Sequence, residues 1–379
     1  MPIQPRRDLK LALPILFLLV SCTPSAGQDD RQRESLWVRT VVAAVQDPGG
    51  LAAGDLDGDG HPDIVVAAGA GQIMVLLGDG AGGLQPRGRT AAGSGPVHFA
   101  LADLDEDGDL DVAVANHETE YVTVLLGDGA GGLAEAQGSP LRLDIDPHPH
   151  VVAAADIDLD GHVDLLVDDR NREAVRLLRG RGDGTFEVPG TRIPVGGDPY
   201  RGLPLGDLNG DGRPDLVTPN SNEAAVLLNR AEGGLQPIGA VPATAPFGIA
   251  LADLDGDGAL DLVTSSESGA LDLFRGHGDG SFERMGEPRR LTSGGKRIRA
   301  ADFNGDGIDD VAIANYMSPE IVVLLGSADG ITEVRAAAGE HPWGLAAADL
   351  DGDGRDDLIV GDEGTDQLYI LLSRLPERP

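Results

Sequence analysis

Asp55-Leu56-Asp57-Gly58-Asp59-Gly60-His61-Pro62-Asp63 is the stretch on which the fold turns. Its pattern, D-x-[DN]-x-D-G-x-x-D, returns seven times, beginning at Asp55, Asp103, Asp156, Asp207, Asp253, Asp302 and Asp349. The intervals are 48, 53, 51, 46, 49 and 47 residues. A period of this size belongs to a propeller blade or a similar array, not to a string of independent domains.

Each unit reads alike. The residue before the first Asp is Gly or Ala throughout (Gly54, Ala102, Ala155, Gly206, Ala252, Ala301, Ala348), which suits inner strands crowding around an axis. An apolar run starts at the ninth position, as in residues 63–67 and 111–115. A further strand, a Gly-rich turn (GDGAGGL twice, GRGDGTF, GHGDGSF) and a less regular fourth strand follow. The apolar runs do not alternate strictly, as expected of strands covered on both faces. The seventh unit stops after its third strand, 367–372, while residues 36–42 form a spare strand ahead of the first loop. The expected fold is therefore all-β, a seven-bladed β-propeller of four-stranded blades over 36–379. The N-terminal strand completes the last blade, and such closure leaves no open sheet edge.

The repeated acids have a metal's geometry. Positions 1, 3, 5 and 9 offer side-chain oxygens and position 7 offers its carbonyl, all within one tight loop. The expected ligands are Asp55, Asp57, Asp59 and Asp63 with the His61 carbonyl in the first loop. In the second they are Asp103, Asp105, Asp107 and Asp111 with Asp109, and in the third Asp156, Asp158, Asp160 and Asp164 with His162. The fourth has Asp207, Asn209, Asp211 and Asp215 with Arg213, and the fifth Asp253, Asp255, Asp257 and Asp261 with Ala259. The sixth has Asp302, Asn304, Asp306 and Asp310 with Ile308, and the seventh Asp349, Asp351, Asp353 and Asp357 with Arg355. Hard oxygen ligation of this density selects Ca2+, up to seven ions. An EF-hand would need Glu at position 12 and flanking helices, whereas position 12 here is an apolar strand residue such as Val66. Gly stands at position 6 in every loop, where the chain must turn sharply.

Composition agrees. The 379 residues carry 63 Asp+Glu against 29 Lys+Arg, a formal charge of −34, yet 41 % are hydrophobic, as in a globular chain. The loops account for 26 of those acids, so the excess charge is chiefly a statement about metal. An acidic surface argues against nucleic acid as a partner, and no nucleotide-binding loop occurs. The single cysteine, Cys22, excludes a disulfide framework and a cysteine-built zinc site.

These motifs resemble the FG-GAP and VCBS repeat family, the class that includes the integrin α-subunit propeller. The resemblance covers nearly all of 36–373 and implies that the acidic loops join strands one and two of each blade on the lower face. Ahead of this region, Arg6, Arg7 and Lys10 precede the apolar run 11–20, which reads as a signal peptide over 1–21. Leu19-Val20-Ser21-Cys22 resembles a bacterial lipobox, which implies lipid attachment at Cys22, a flexible tether over 22–35 and an outer-membrane or cell-surface lipoprotein. A plain secretory signal is the alternative. Membrane contact would be through the lipid alone.

On the opposite face lie the chain's rarer side chains. His98, His150, Tyr200, Arg201, Phe247, Arg297 and Trp343 are the candidate ligand-binding residues, near His117, His148, Asp168, Tyr316 and His341. They read either as a binding mouth around the central channel or as rings packed between blades. A second, histidine-built metal site from His98, His148 and His150 stays open, because no spacing rule constrains residues from different units. Arg181-Gly182-Asp183 lies inside a repeat turn that itself requires the Gly and the Asp. The favoured function is a non-enzymatic binding or scaffold module for a glycan or protein ligand. The alternative is a lyase-like enzyme acting on polysaccharide through rim His, Tyr and Arg, although no catalytic signature occurs.

Overall fold

Seven antiparallel sheets stand in a ring in the computed structural model, which describes residues 36–376 except 146, 147, 201, 232, 233, 292 and 293. The expected leader, Cys22, the tether and Arg201 lie outside the described residues. Blade one runs Leu51–Gly54, Asp63–Ala67, Gln72–Gly78 and Leu84–Ala91 from axis to rim, and the other blades repeat this order. The acidic loops join strands one and two of each blade, on one face of the ring. In blades two and five the fourth strand is split into short pieces, Leu133–Glu135 with Leu141–Arg142 and Phe282–Arg284 with Arg289–Arg290. In blade two the break is bridged locally, where the Ser139 hydroxyl oxygen accepts the Val124 N–H at 3.1 Å in place of a ladder bond.

The ring closes as the sequence indicates. Pro342–Ala348, Asp357–Asp362 and Gln367–Ser373 form three strands of blade seven, and Trp37–Ala44 adds the fourth. Trp37 faces Ser373 and Val41 faces Tyr369, with a bulge just beyond.

No core lies at the centre. The buried apolar residues divide into seven clusters, each drawn from two adjacent blades, as where Phe303 and Ile321 of blade six meet Leu345 and Tyr369 of blade seven. A second strand is therefore covered on both faces, which explains why Asp63–Ala67 and Asp310–Asn315 are buried at every position. Fourth strands carry polar residues outward, and Leu84–Ala91 is buried only at its first residue.

The loops use more left-handed backbone than the motif announces. All seven position-6 glycines have φ between +79° and +97°, from Gly212 and Gly307 to Gly161. Position 4 is left-handed too, and there Glu106 (φ 62°) and Leu159 (φ 59°) stand where the other five loops have Gly. Leu159 is also exposed. Replacing it with Gly is expected to stabilise the protein by about 1 kcal/mol, the cost of a left-handed side-chain residue. The measurement is the urea midpoint at constant m-value; a midpoint that falls instead contradicts the expectation.

Candidate functional site

The acidic loops are built from the backbone outward. The position-1 carboxylate accepts the N–H of position 6 in every loop and, in the five loops with Gly at position 4, that N–H too, as when Asp55 receives Gly58 at 2.8 Å and Gly60 at 2.9 Å, which winds the loop around it. The position-9 Asp is fully buried and staples two segments. Asp63 accepts Leu56 N–H and Gly78 N–H, both at 2.8 Å. The same pair of bonds recurs at Asp111, Asp164, Asp215, Asp261, Asp310 and Asp357. Positions 1, 3 and 9 bring their oxygens within 4.8 Å of one another at Asp55, Asp57 and Asp63, at Asp103, Asp105 and Asp111, and at Asp156, Asp158 and Asp164. In the fifth loop the group is Asp253, Asp255 and Asp257.

Two observations show that these clusters suit a hard divalent cation. Buried Oδ1 atoms of Asp103, Asp105, Asp158, Asp255 and Asp351 have no hydrogen-bond donor among the described residues. For three of them the outer oxygen already meets a guanidinium: Asp158 with Arg179 at 2.9 Å, Asp255 with Arg275 at 2.6 Å and Asp351 with Arg374 at 2.9 Å. A buried carboxylate oxygen without a partner is costly, and a cation is the partner these donors fit. Electrostatics say the same. Burial, with the loop's own carboxylates adding to it, pushes Asp111 and Asp261 up to about 6 and Asp310 and Asp357 up to about 7, against the pull of their backbone bonds.

Each loop is also a joint between blades, which the repeat does not reveal. The position-2 side chains, Leu56, Leu104, Ile157, Leu208, Leu254, Phe303 and Leu350, all sit in the cluster shared with the following blade. Among the described residues six of their carbonyls are claimed by that blade as well. Gly131 donates to Leu56, Gly184 to Leu104, Gly280 to Leu208 and Gly82 to Leu350, at 2.9 to 3.0 Å. The Asn229 side chain donates to Ile157 and the Ser373 hydroxyl to Phe303. Thus the Gly-rich outer turn of one blade grips the acidic loop of the one before. The turn holding Arg181-Gly182-Asp183 does the same work, with Asp183 accepting Thr185 N–H at 3.0 Å.

On the opposite face the sequence-predicted mouth divides. His98 and Arg297 line a cavity of about 480 Å3 on the axis, walled by the first strands of six blades and, in blade four, by residues 202–204 leading into the first strand. Arg299, two residues below Arg297 on the same side of its strand, lines it too and was not singled out from the sequence. No Asp or Glu is among the lining residues. Arg297 reaches across the axis to donate to Val97 O at 2.8 Å, and its guanidinium lies 5.9 Å from the Trp343 ring. Arg299 is half-buried at the cavity wall, and desolvation there lowers its pKa. Among the described residues its hydrogen-bond acceptor is Ile298 O, at 2.9 Å, and no carboxylate pairs with it. His98 is held well below the usual imidazole value by burial and then by Arg297 and Arg299, so it is neutral.

The remaining rim residues form two ring clusters. His117, His148, His150, Tyr200 and Phe247 follow one another with centroids 4.0 to 5.1 Å apart. Tyr316, His341 and Trp343 make the second cluster. His150 and Phe247 are buried, and for Phe247 the packing role expected of rings between blades applies. His98 does not join His148 and His150; His117 takes that place. Burial, then His117 and His150, hold His148 below its ordinary value. Asp168 and Asp362 accept backbone N–H groups from the segments leading into their blades.

The chain belongs to the FG-GAP-like repeat family, whose model matches residues 55–114, 103–167, 169–218, 207–264, 253–313 and 302–360. No curated protein shows a significant match. Among solved structures, BBS1N in a mercury-soaked crystal of its complex with ARL6DN aligns with a TM-score of 0.66 at 12 % identity, covering 90 % of this chain and 98 % of that one. A lead-soaked crystal of the same complex gives 0.65 at 13 %, with the same coverage. At these identities the likeness is one of fold.

Proposed function

We propose that this protein is a non-enzymatic binding propeller, stabilised by Ca2+ in its acidic loops and held at a bacterial surface by lipid on Cys22, that takes an acidic group of its ligand into the axial cavity. The observation that carries this reading is the cavity's charge. A chain of net charge −34 places Arg297 and Arg299 beside a neutral His98 in a hollow without a carboxylate. The Arg299 guanidinium bonds Ile298 O and meets no carboxylate among the described residues, so it suits one donated by a glycan or a protein. BBS1N, of the same fold, was crystallised with a protein partner, ARL6DN, which supports a role in recognition without naming a ligand.

The test is calorimetric titration of the Ca2+-loaded protein with an oligouronate, an acidic peptide and a neutral oligosaccharide. Arg299→Met should weaken the acidic ligand at least tenfold while raising the melting temperature, since a partly desolvated guanidinium with no carboxylate partner among the described residues is removed. Equal binding by the variant, or a preference for the neutral sugar, would refute the reading. A polysaccharide-lyase reading draws on Tyr200, which lies 4.7 Å from His150 and under the Arg170 guanidinium at 4.0 Å. Release of new reducing ends from the oligouronate in the same samples would favour it.

A further inference from the structure

We propose that His117, His148 and His150 form a three-nitrogen site for one divalent transition metal of the Zn2+ class, on the upper rim where blades two and three meet. Each of the three offers one ring nitrogen, and these atoms lie within 4.8 Å of one another. Their ring centroids are 4.0, 4.8 and 4.9 Å apart. Simple ring packing has no need to bring three nitrogens to one point, whereas a tetrahedral metal does.

The backbone sets the convergence. His117 follows the second strand of blade two, Asp111–Asn116, and its N–H is fixed to Gly95 O at 2.7 Å. His148 and His150 flank Pro149 in the segment leading into blade three, at the i, i+2 spacing that puts extended side chains on one face. Two of the three histidines have a carboxylate at Nδ1, as metal-bound imidazoles usually do. His150 Nδ1 lies 3.1 Å from Asp168 Oδ2, and that buried carboxylate is itself fixed by the N–H groups of His150 and Val151. His117 Nδ1 lies 3.1 Å from Glu118 Oε1. A carboxylate on Nδ1 fixes the tautomer in which Nε2 carries the lone pair, which is the form a metal takes. All-nitrogen donors select Zn2+, Co2+, Ni2+ or Cu2+ over Ca2+ and so set this site apart chemically from the acidic loops. Three protein ligands leave a fourth position for water or an incoming oxygen ligand, and the His117 side chain is part-exposed. The site does not depend on the axial cavity's role.

The experiment is titration of the full mature protein with Co2+ and then Zn2+, with excess Ca2+ present throughout to saturate the loops. The expected result is one equivalent of Co2+ giving the intense visible bands of a tetrahedral nitrogen-rich site, displaced by one equivalent of Zn2+. His148→Gln and His117→Gln should each abolish the bands and weaken Zn2+ at least 100-fold, with melting in Ca2+ alone unchanged. Asp168→Asn should keep the bands and weaken Zn2+ by about 10–100-fold. Only the weak spectrum of octahedral oxygen-bound Co2+ in the wild-type protein, or stoichiometric Zn2+ binding that survives both His variants, would overturn the proposal.

Discussion

Stripping Ca2+ with a chelator should lower the melting temperature by at least about 10 °C. One site held at ten times its Kd contributes ~1.4 kcal/mol, so seven such sites would contribute ~10 kcal/mol, and each kcal/mol moves the midpoint by a degree or more in a chain of this size. Where the loops sit makes the effect global. Every position-2 side chain lies in the core shared with the next blade, and six of the seven position-2 carbonyls accept a bond from that blade. A loop that swells under its own carboxylate repulsion therefore loosens a blade–blade joint, and all seven joints are strained at once. A single substitution separates metal binding from general damage. Asp105 has a buried oxygen without a donor, and burial followed by the neighbouring carboxylate of Asp107 raises its pKa. Asp105→Ala should lower the melting point in Ca2+ and raise it in chelator, because the stripped loop then has one charge fewer to repel. Melting curves that coincide with and without chelator would refute the role of the metal. A variant that loses stability equally in both would show Asp105 to be structural only.

What the sequence showed and hid follows from how local each signal is. The blade count, the position-6 glycines and the closing strand were legible because each is written in consecutive residues or in a simple count of strands. The double duty of Asp63 and its six equivalents was half legible. Its place in the metal loop is a matter of spacing, but its bond to Gly78 crosses to another strand. The joints between blades were hidden, since a carbonyl such as that of Leu56 carries no side-chain signature of its partner, Gly131. Arg299 left a trace that could have been used: Arg297 and Arg299 alternate in a first strand, and the positions that match Arg299 in the other blades are Ala52, Ala100, Ala153, Pro204, Ala250 and Ala346. At that spacing both must face the axis. His98 was misplaced for the same reason, because the face of a first strand that looks into the cavity had not been assigned. His117 comes near His148 only when blades two and three meet.

Removal of residues 36–44 should cost the protein its fold as a monomer. This strand joins the N-terminal end of the chain to the last blade, adding to the core and the Gly82–Leu350 bond that blades seven and one share, and it runs antiparallel along the whole of Gln367–Ser373. Beyond it, Leu36 O accepts Arg374 N–H at 2.8 Å and Val45 N–H donates to Asp366 O at 2.9 Å. Trp37 enters the core between blades six and seven, edge-on to Phe303 with centroids 6.0 Å apart, and the Arg39 guanidinium lies 4.2 Å from the centre of the Tyr369 ring. Without the strand, Gln367–Ser373 becomes a bare apolar edge, open to pairing with another chain. The truncated protein should therefore aggregate or exchange strands, and a synthetic peptide of residues 36–44 added during refolding should return it to a monomer. Point substitutions grade the same effect. Trp37→Ala should cost about 3–5 kcal/mol, the loss usual for a buried indole. Trp37→Phe should cost far less, since the indole N–H is buried without an acceptor among the described residues and its removal offsets part of the lost contact. A truncated chain that melts as a monomer at the full-length temperature would show that the ring is held by its seven interfaces alone. A monomer recovered only with the peptide would place closure in this one strand.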